Sequence, residues 1–205
     1  YMIQDSLAKI LDVAPEVGSV YFDERPNKVG DDRIVAYLVI TADKGLAGAY
    51  NHNVIKLAEK CTVDDGCNNM LFVVGQLGRH FFEKKEIPID INFRYAAQNP
   101  TVNRARHISE KIVSMFLDKK IDEVHVVYTK MVNSMTVEAV STQLLPLKKG
   151  SINMQSNELV EHYNDAVFMP DVKTAFDSIA PSYIAGFVYG ALVESYCSEH
   201  NARMM

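Results

Sequence analysis

The chain has 205 residues, 48% apolar and 23% charged, with ten Gly and seven Pro; that makes one large domain or two small ones, able to bury a core without metals or disulfides. Twenty-one basic against twenty-six acidic residues give a net charge of −5, which excludes a broadly cationic nucleic-acid binder. Three cysteines, Cys61, Cys67 and Cys197, exclude a disulfide framework, and a reducing compartment is the default reading.

Leu7, Ile10 and Leu11 share one helical face of residues 4–13. Asp5 and Lys9 break the first apolar run, so no signal peptide opens the sequence. Pro15, Gly18, Pro26, Asn27 and Gly30 mark a long loop. Residues 33–41 (RIVAYLVIT) are almost continuously β-branched or aliphatic, the pattern of a strand buried on both faces. A second such run covers 70–75, a weaker third 87–93, and a fourth 122–130. Helix-length segments lie between them at 51–60, 76–85 and 101–120. The last carries Val102, Ala105, Ile108, Ile112, Met115 and Phe116 at helical spacing.

Residues 136–145 read as a further strand ended by Pro146, and 148–157 as a polar surface loop. Residues 166–169 form a short apolar run and one more candidate strand. From 172 the pattern is helical to the end, with Pro181 expected in a first turn. The longest charge-free stretch, 178–193, includes Pro181 and two glycines, and is too short and broken to span a bilayer. The helical pattern reaches Met205 without a cap, and the first residue is Tyr1. Both ends read as those of a fragment. Strands alternating with helices predict a doubly wound α/β fold. Its sheet is mainly parallel, of five or six strands flanked by helices, and the chain ends in the start of a long C-terminal helix. Residues 34–40, 71–74 and 124–128 are its expected buried centre.

A doubly wound sheet invites a nucleotide after its first strand. Residues 41–51 (TADKGLAGAYN) sit there with Gly45 and Gly48. They match neither G-x-G-x-x-G nor G-x-x-x-x-G-K-[ST], and a tight turn needing glycine accounts for them. The six histidines show no H-x-x-x-H pair and no cysteine at zinc-ligand spacing. No G-x-S-x-G elbow occurs. Cys61 and Cys67 are close enough to pair, although unlinked thiols suit a reducing compartment. The basic run 103–111 lies on an amphipathic helix and reads as a solvated face. Catalytic, cofactor-binding and metal residues are therefore not assigned, and a structural or coupling part is expected.

Residues 38–56 resemble the gamma subunit of F-type ATP synthases, where a hydrophobic strand ends in Ser/Thr-Asp-Arg/Lys-Gly-Leu-Cys-Gly-Gly-x-Asn. Thr41, Asp43, Lys44, Gly45, Leu46, Gly48 and Asn51 match; Ala42, Ala47 and Ala49 depart from the usual Ser, Cys and Gly. Three more segments fit in order. Residues 126–147 resemble the family's strand, Asn-Ser/Thr-Met-Thr turn and Leu-Leu-Pro-Leu end. Residues 167–171 resemble a Tyr-Glu-Pro motif, with Phe168 and Met169 in place of Tyr-Glu and Pro170 kept. Residues 191–205 resemble the start of the family's C-terminal helix, including Ser198, Glu199, Ala202, Arg203 and Met204.

The resemblance implies a central α/β, Rossmann-like domain over 1–180. It also implies the start of a truncated C-terminal shaft helix over 181–205, with most of the two-helix shaft missing. It implies a non-catalytic central-stalk rotor subunit without a cofactor, coupling ion-driven ring rotation to ATP synthesis or hydrolysis in the beta subunits. Its partners would be the alpha and beta subunits, the epsilon subunit and the c-ring, without nucleic acid or direct membrane insertion. It would lie peripheral to a coupling membrane, on the cytoplasmic face in a bacterium. Gly45 and Gly48 should shape the first turn, with Asp43 and Asn51 capping it. Phe168, Pro170, Ser198, Glu199 and Arg203 are the candidate partner contacts. Glu199 and Arg203, one helical turn apart, either pair with each other or touch the catalytic ring. The face Ser195, Ser198, Glu199 and Ala202 is small and polar, suited to a second helix. It is expected to fray without one. Two readings stay open beside this one: a nucleotide-dependent enzyme using residues 41–51, and an α/β interaction module of another assembly.

Overall fold

Strand β1 (Ile34–Ile40) is apolar at every position, and its alternation assigns each side chain to one of two cores. Ala36, Leu38 and Ile40 join one buried cluster; Val35, Tyr37 and Val39 join another. A strand buried on both faces needs neighbours on both edges and helices on both sides. β1 pairs in parallel with β2 (Asn68–Val74) and with β3 (Glu123–Met131), and β3 pairs antiparallel with β4 (Val137–Leu145). The order is β2-β1-β3-β4. This is a computed structural model describing residues 2–45, 48–64, 66–133, 136–153 and 171–204.

Helices α2 (Tyr50–Asp64) and α3 (Gln76–Lys84) cover one face through Val54, Ile55, Ala58 and Phe82. The other face holds α1 (Met2–Val13), α4 (Val102–Leu117) and, past a short α5 (Lys149–Asn153), the long α6 (Val172–Met204). In α4 the buried residues Ala105, Ile108, Ile112 and Phe116 recur every three or four positions. Thr101 starts the helix by accepting the Arg104 N–H at 3.2 Å. Burying an aliphatic or Phe side chain of this kind contributes about 1.5–3 kcal/mol. The doubly wound class therefore stands, built from helices on both faces of a mixed sheet.

The sheet has four strands among the described residues, fewer than the five or six expected. Residues 87–93 run beside β2 but make only an isolated bridge, Leu71 to Ile89, and Tyr95 makes another to Val74. Pro88 has no N–H to give a ladder. Asp90 then turns the chain, accepting the Asn92 N–H at 2.9 Å. The segment still shields the edge of β2, which limits pairing with another chain. Residues 166–169 lie outside the described residues. Cys61, Cys67 and Cys197 form no disulfide among the described residues.

The end of the chain differs more from expectation. α6 begins nine residues before Pro181, which lies inside the helix, across the expected 180/181 boundary. Its N-terminal signal is Asp171, whose carboxylate accepts the Thr174 N–H at 2.9 Å. Pro181 is exposed, so water can satisfy the carbonyl its ring leaves free. By length and composition α6 is long and apolar enough to cross a membrane, unlike the broken stretch read from the sequence. Yet Phe176, Ala180, Ile184, Val188, Ala191 and Leu192 are buried in the domain's own core. The expected fraying face is also buried on the domain: Ser195, Ser198 and Glu199 are each under 5% exposed.

Candidate functional site

In a doubly wound sheet the ligand crevice opens at the carboxyl ends of the strands, where the winding reverses. Here β1 sends its chain to β2 on one side and has β3 on the other, so the reversal falls between Ile40 and Tyr128. What surrounds that point decides what the fold can do.

The β1–α2 turn is held by its own polar side chains. Asn51 Oδ1 accepts the Ala42 N–H at 2.8 Å. Asp43 accepts three backbone N–H groups, from Gln76 at 3.2 Å, Ala97 at 2.8 Å and Gln98 at 2.9 Å. Asn51 thus bonds within the turn, while Asp43, expected to cap it too, instead ties the turn to the start of α3 and to residues 97–98. Gly48 takes a left-handed φ of 52°, which favours glycine. Gly45 has no such φ, and a Cβ there would meet nothing within 4 Å. Of the two expected turn glycines, the geometry needs Gly48.

The glycines that matter most were not singled out from the sequence. Gly75, at φ 91°, would put a Cβ 2.3 Å from the Thr41 carbonyl oxygen, and Gly78 would put one 2.6 Å from Thr41 Oγ1. Both allow α3 to press against the end of β1. Gly78 follows a strand and a short turn, but its spacing matches no phosphate motif, so only the contact reveals it. Thr41 Oγ1 donates to the Val74 carbonyl at 2.9 Å and accepts the Gly78 N–H at 3.0 Å.

The first donors of α3 are therefore already used. Gln76 N–H goes to Asp43, Leu77 N–H to the Ala42 carbonyl at 3.1 Å, and Gly78 N–H to Thr41. A helix N-terminus binds phosphate through such free N–H groups, and here the protein itself supplies the acceptors. Among the described residues, no group of three or more His, Cys, Asp or Glu side chains could hold a metal ion.

The crevice itself is filled from above by α6. β1 and β3 pair as far as Val39 and Val127, and β3 then continues alone on that side. The unpaired Thr129 N–H donates to Ser195 Oγ of α6, at 3.4 Å. Tyr50, at the start of α2, is buried against Ala42, Leu77 and Ala202. Burial pushes its phenol above the usual tyrosine range; the hydroxyls of Ser195 and Thr129 oppose this, and the Glu199 carboxylate adds to it.

Glu199 and Arg203 do pair, at 2.5 Å. Arg203 also donates to the Lys44 carbonyl at 2.9 Å, joining the last turn of α6 to the β1–α2 turn. Ser198 and Glu199 are turned into the domain, while Arg203 stays exposed. Phe168 and Pro170 lie outside the described residues. A hollow of about 170 Å³ remains beside this edge, lined by Gln98, Asn99, Tyr196, Glu199, His200 and Arg203. A larger one, about 730 Å³, lies elsewhere, between α1, β4 and α6.

A family model described as ATP synthase matches residues 2–205. The chain is 39% identical over 204 residues to the ATP synthase gamma chain of Ruminiclostridium cellulolyticum, covering 98% of this chain and 68% of that one. It is 38% identical over 206 residues to the gamma chain of Acetivibrio thermocellus, covering 98% and 69%. In fold it resembles a chain of the central stalk and c-ring of Tetrahymena thermophila mitochondrial ATP synthase. The TM-score is 0.66 at 20% identity, over 96% of this chain and 82% of that one. The filled crevice, the four ordered motifs and a match over nearly the whole sequence agree: the chain belongs to the ATP synthase gamma-chain family.

Proposed function

We infer that this gamma chain serves as the non-catalytic central-stalk rotor of its ATP synthase, passing ring rotation to catalytic sites held by other subunits. The observation that carries the reading is the crevice at the strand reversal. Beside that crevice, this chain uses the first N–H groups of α3 on Asp43, Ala42 and Thr41. It fills the remaining space with Tyr50 and α6. Such an edge favours rigid attachment of a helix over ligand exchange. In a rotor, an asymmetric body biases partners that have several states, and needs no chemistry of its own.

The partners proposed from the family are the alpha and beta subunits around the shaft, the epsilon subunit, and the c-ring below. Helix α6 crosses the expected 180/181 boundary and is buried on the body as far as Glu199, so the body is assigned residues 1–199 and the start of the shaft the last turn of α6. Phe168 and Pro170 are assigned to the side of the ring and epsilon. Of Ser198, Glu199 and Arg203, the exposed Arg203 is the best remaining contact for the catalytic subunits. The chain would be peripheral to the coupling membrane, at the cytoplasmic face in a bacterial cell.

Co-purification of the full-length protein with alpha and beta subunits is the expected result. The purified chain should neither hydrolyse ATP nor bind it at micromolar concentration. ATP turnover that disappears in Lys44→Ala would establish the nucleotide-enzyme reading instead.

A further inference from the structure

A polar hollow of about 510 Å³ opens where α3 leaves the carboxyl end of β2, between that helix and residues 94–96. Two guanidiniums meet there on one oxygen. Arg79 Nη2 donates to the Ile91 carbonyl at 3.4 Å, and Arg94 Nε donates to the same carbonyl at 3.1 Å. Cations held on one acceptor repel each other, and little nearby offsets them. Glu83 reaches Arg79 only at 3.8 Å, with its own side chain 53% exposed. Asp90, next to Ile91 in the chain, is taken by Lys111 at 2.6 Å. His80 lies exposed on the same rim. A chain of net charge −5 thus gathers positive charge in one concave place.

The two arginines are used differently. Arg79 has a structural task. Its side chain is largely buried, and it satisfies the carbonyls of Ile91 and Phe93 in a segment that meets the sheet only by isolated bridges. Arg94 is exposed, and among the described residues it bonds through Nε alone. That bond fixes the direction of the fork and leaves both terminal amino groups available. A guanidinium oriented in this way gives two parallel N–H bonds to a carboxylate at reduced entropic cost.

The surroundings select among anions. The first N–H groups of α3, the usual donors to a phosphate, are already used on Asp43, Ala42 and Thr41. Glu83 repels a doubly charged group more than a singly charged one. The hollow is wider than a single ion needs, and half-buried Tyr95 and exposed Ala96 give it apolar surface beside the fork. A side-chain carboxylate carried on a polypeptide meets all three conditions.

We propose that the Arg79–Arg94 hollow is a docking site for an acidic segment of a neighbouring subunit, with Arg94 taking an Asp or Glu carboxylate in its fork. That the partner is a subunit of the synthase rests on the central-stalk reading; the preference for a carboxylate does not. A single exposed ion pair is a weak contact, one that forms and releases readily as a rotor passes its neighbours.

The test follows the rate at which phenylglyoxal, which attacks free guanidinium groups, modifies Arg94. Going from the full-length chain to the assembled synthase should slow the reaction about fivefold, the upper value for one exposed ion pair. In assembled Arg94→Lys, a water-soluble carbodiimide should join the new amine to an Asp or Glu of another subunit, identified by mass spectrometry. In the full-length chain alone, hexaglutamate should protect Arg94 and hexaglutamine should not. Glu83→Gln should tighten hexaglutamate binding about two- to fivefold, by removing the like charge beside the fork. Equal modification of Arg94 in chain and synthase would overturn the docking site, as would a carbodiimide link to Glu83 alone or no link at all. Protection by inorganic phosphate equal to that by hexaglutamate would make the hollow a phosphate site and overturn the proposal. Protection by neither peptide would overturn it too. Failure of the wild-type chain to assemble with alpha and beta would instead remove the stalk reading, while the hexaglutamate experiment on the chain alone still decides whether the hollow takes carboxylates.

Discussion

The two ends of the sheet are closed by different means. At the amino end, Asp122 is fully buried and takes Arg25 at 2.9 Å and Lys28 at 2.8 Å, and it also accepts the Ile34 N–H at 3.0 Å. The Arg25 side chain is 8% exposed and stacks over Phe116, 4.3 Å from the ring centre. Beside it, Glu123 binds Arg33 at 2.6 Å and His125 at 2.7 Å. At the carboxyl end, Asp43 holds backbone N–H groups, Ser195 Oγ accepts the Thr129 N–H, and glycines allow close approach. The amino end fastens a loop, which must be gripped by long side chains. The carboxyl end fastens a helix, which can come close enough for short ones. The contrast teaches that the same sheet closes with buried cation–carboxylate pairs where long side chains must reach a loop, and with small residues where a helix comes close, with Asp43 and the Glu199–Arg203 pair at the rim.

The largest break in that comparison should come from Asp122→Ala. It leaves Arg25 buried without its carboxylate and orphans the Ile34 N–H, so about 3–5 kcal/mol should be lost in denaturant unfolding. A loss under 1 kcal/mol would mean that the amino end is solvated after all. Gly78→Ala is the matching test of the carboxyl end. A Cβ 2.6 Å from Thr41 Oγ1 and 2.9 Å from Val73 Cγ1 should cost about 1–3 kcal/mol through overpacking. A neutral result would show that α3 does not press on Thr41.

Acid should act on the amino end first. His125 foremost, then Arg33, holds the Glu123 carboxyl down to about 2 against the opposing effect of burial. Burial likewise opposes the Asp122 carboxylate, but Lys28, the Ile34 N–H and Arg25 outweigh it and hold that group below the usual range. A depressed carboxyl stabilises the fold fully above its unfolded value and loses that contribution as pH falls through the folded one. Glu123→Gln should therefore flatten the stability profile between about pH 4.5 and pH 2, by on the order of 1–2 kcal/mol after solvent screening. An unchanged acid profile would remove Glu123 from the network.

Smaller effects separate the turn residues. Asp43→Ala should cost about 1–2 kcal/mol, because water can replace part of its three bonds. Its loss should also free the 95–98 loop to faster amide exchange. Gly48→Ala should cost about 1–2 kcal/mol through its left-handed backbone. Gly45→Ala should stay within about 0.5 kcal/mol; a larger loss would show that Gly45 has a contact this geometry does not explain.

The sequence by itself determined the class of fold and the family. Runs such as 34–40 and the helical spacing of 105–116 are local patterns, and burial on both faces leaves a strand no polar alternation to display. Asn51 was legible as a cap because its partner, the Ala42 N–H, lies within the same turn, whereas the partners of Asp43 lie 33 to 55 residues away and only the fold brings them to it. Residues 87–93 misled because apolar alternation does not record whether a ladder partner exists, and Pro88 with the Asp90 turn removed it. Only the tertiary structure decided the importance of Gly75 and Gly78, whose requirement comes from Thr41, more than thirty residues away. The same holds for the ion pairs of Arg25 with Asp122, and for the seat of α6. Its small polar face suits a second helix and a strand end equally well, because close approach is all that small side chains specify; which surface takes that place depends on where β1 stops and β3 continues.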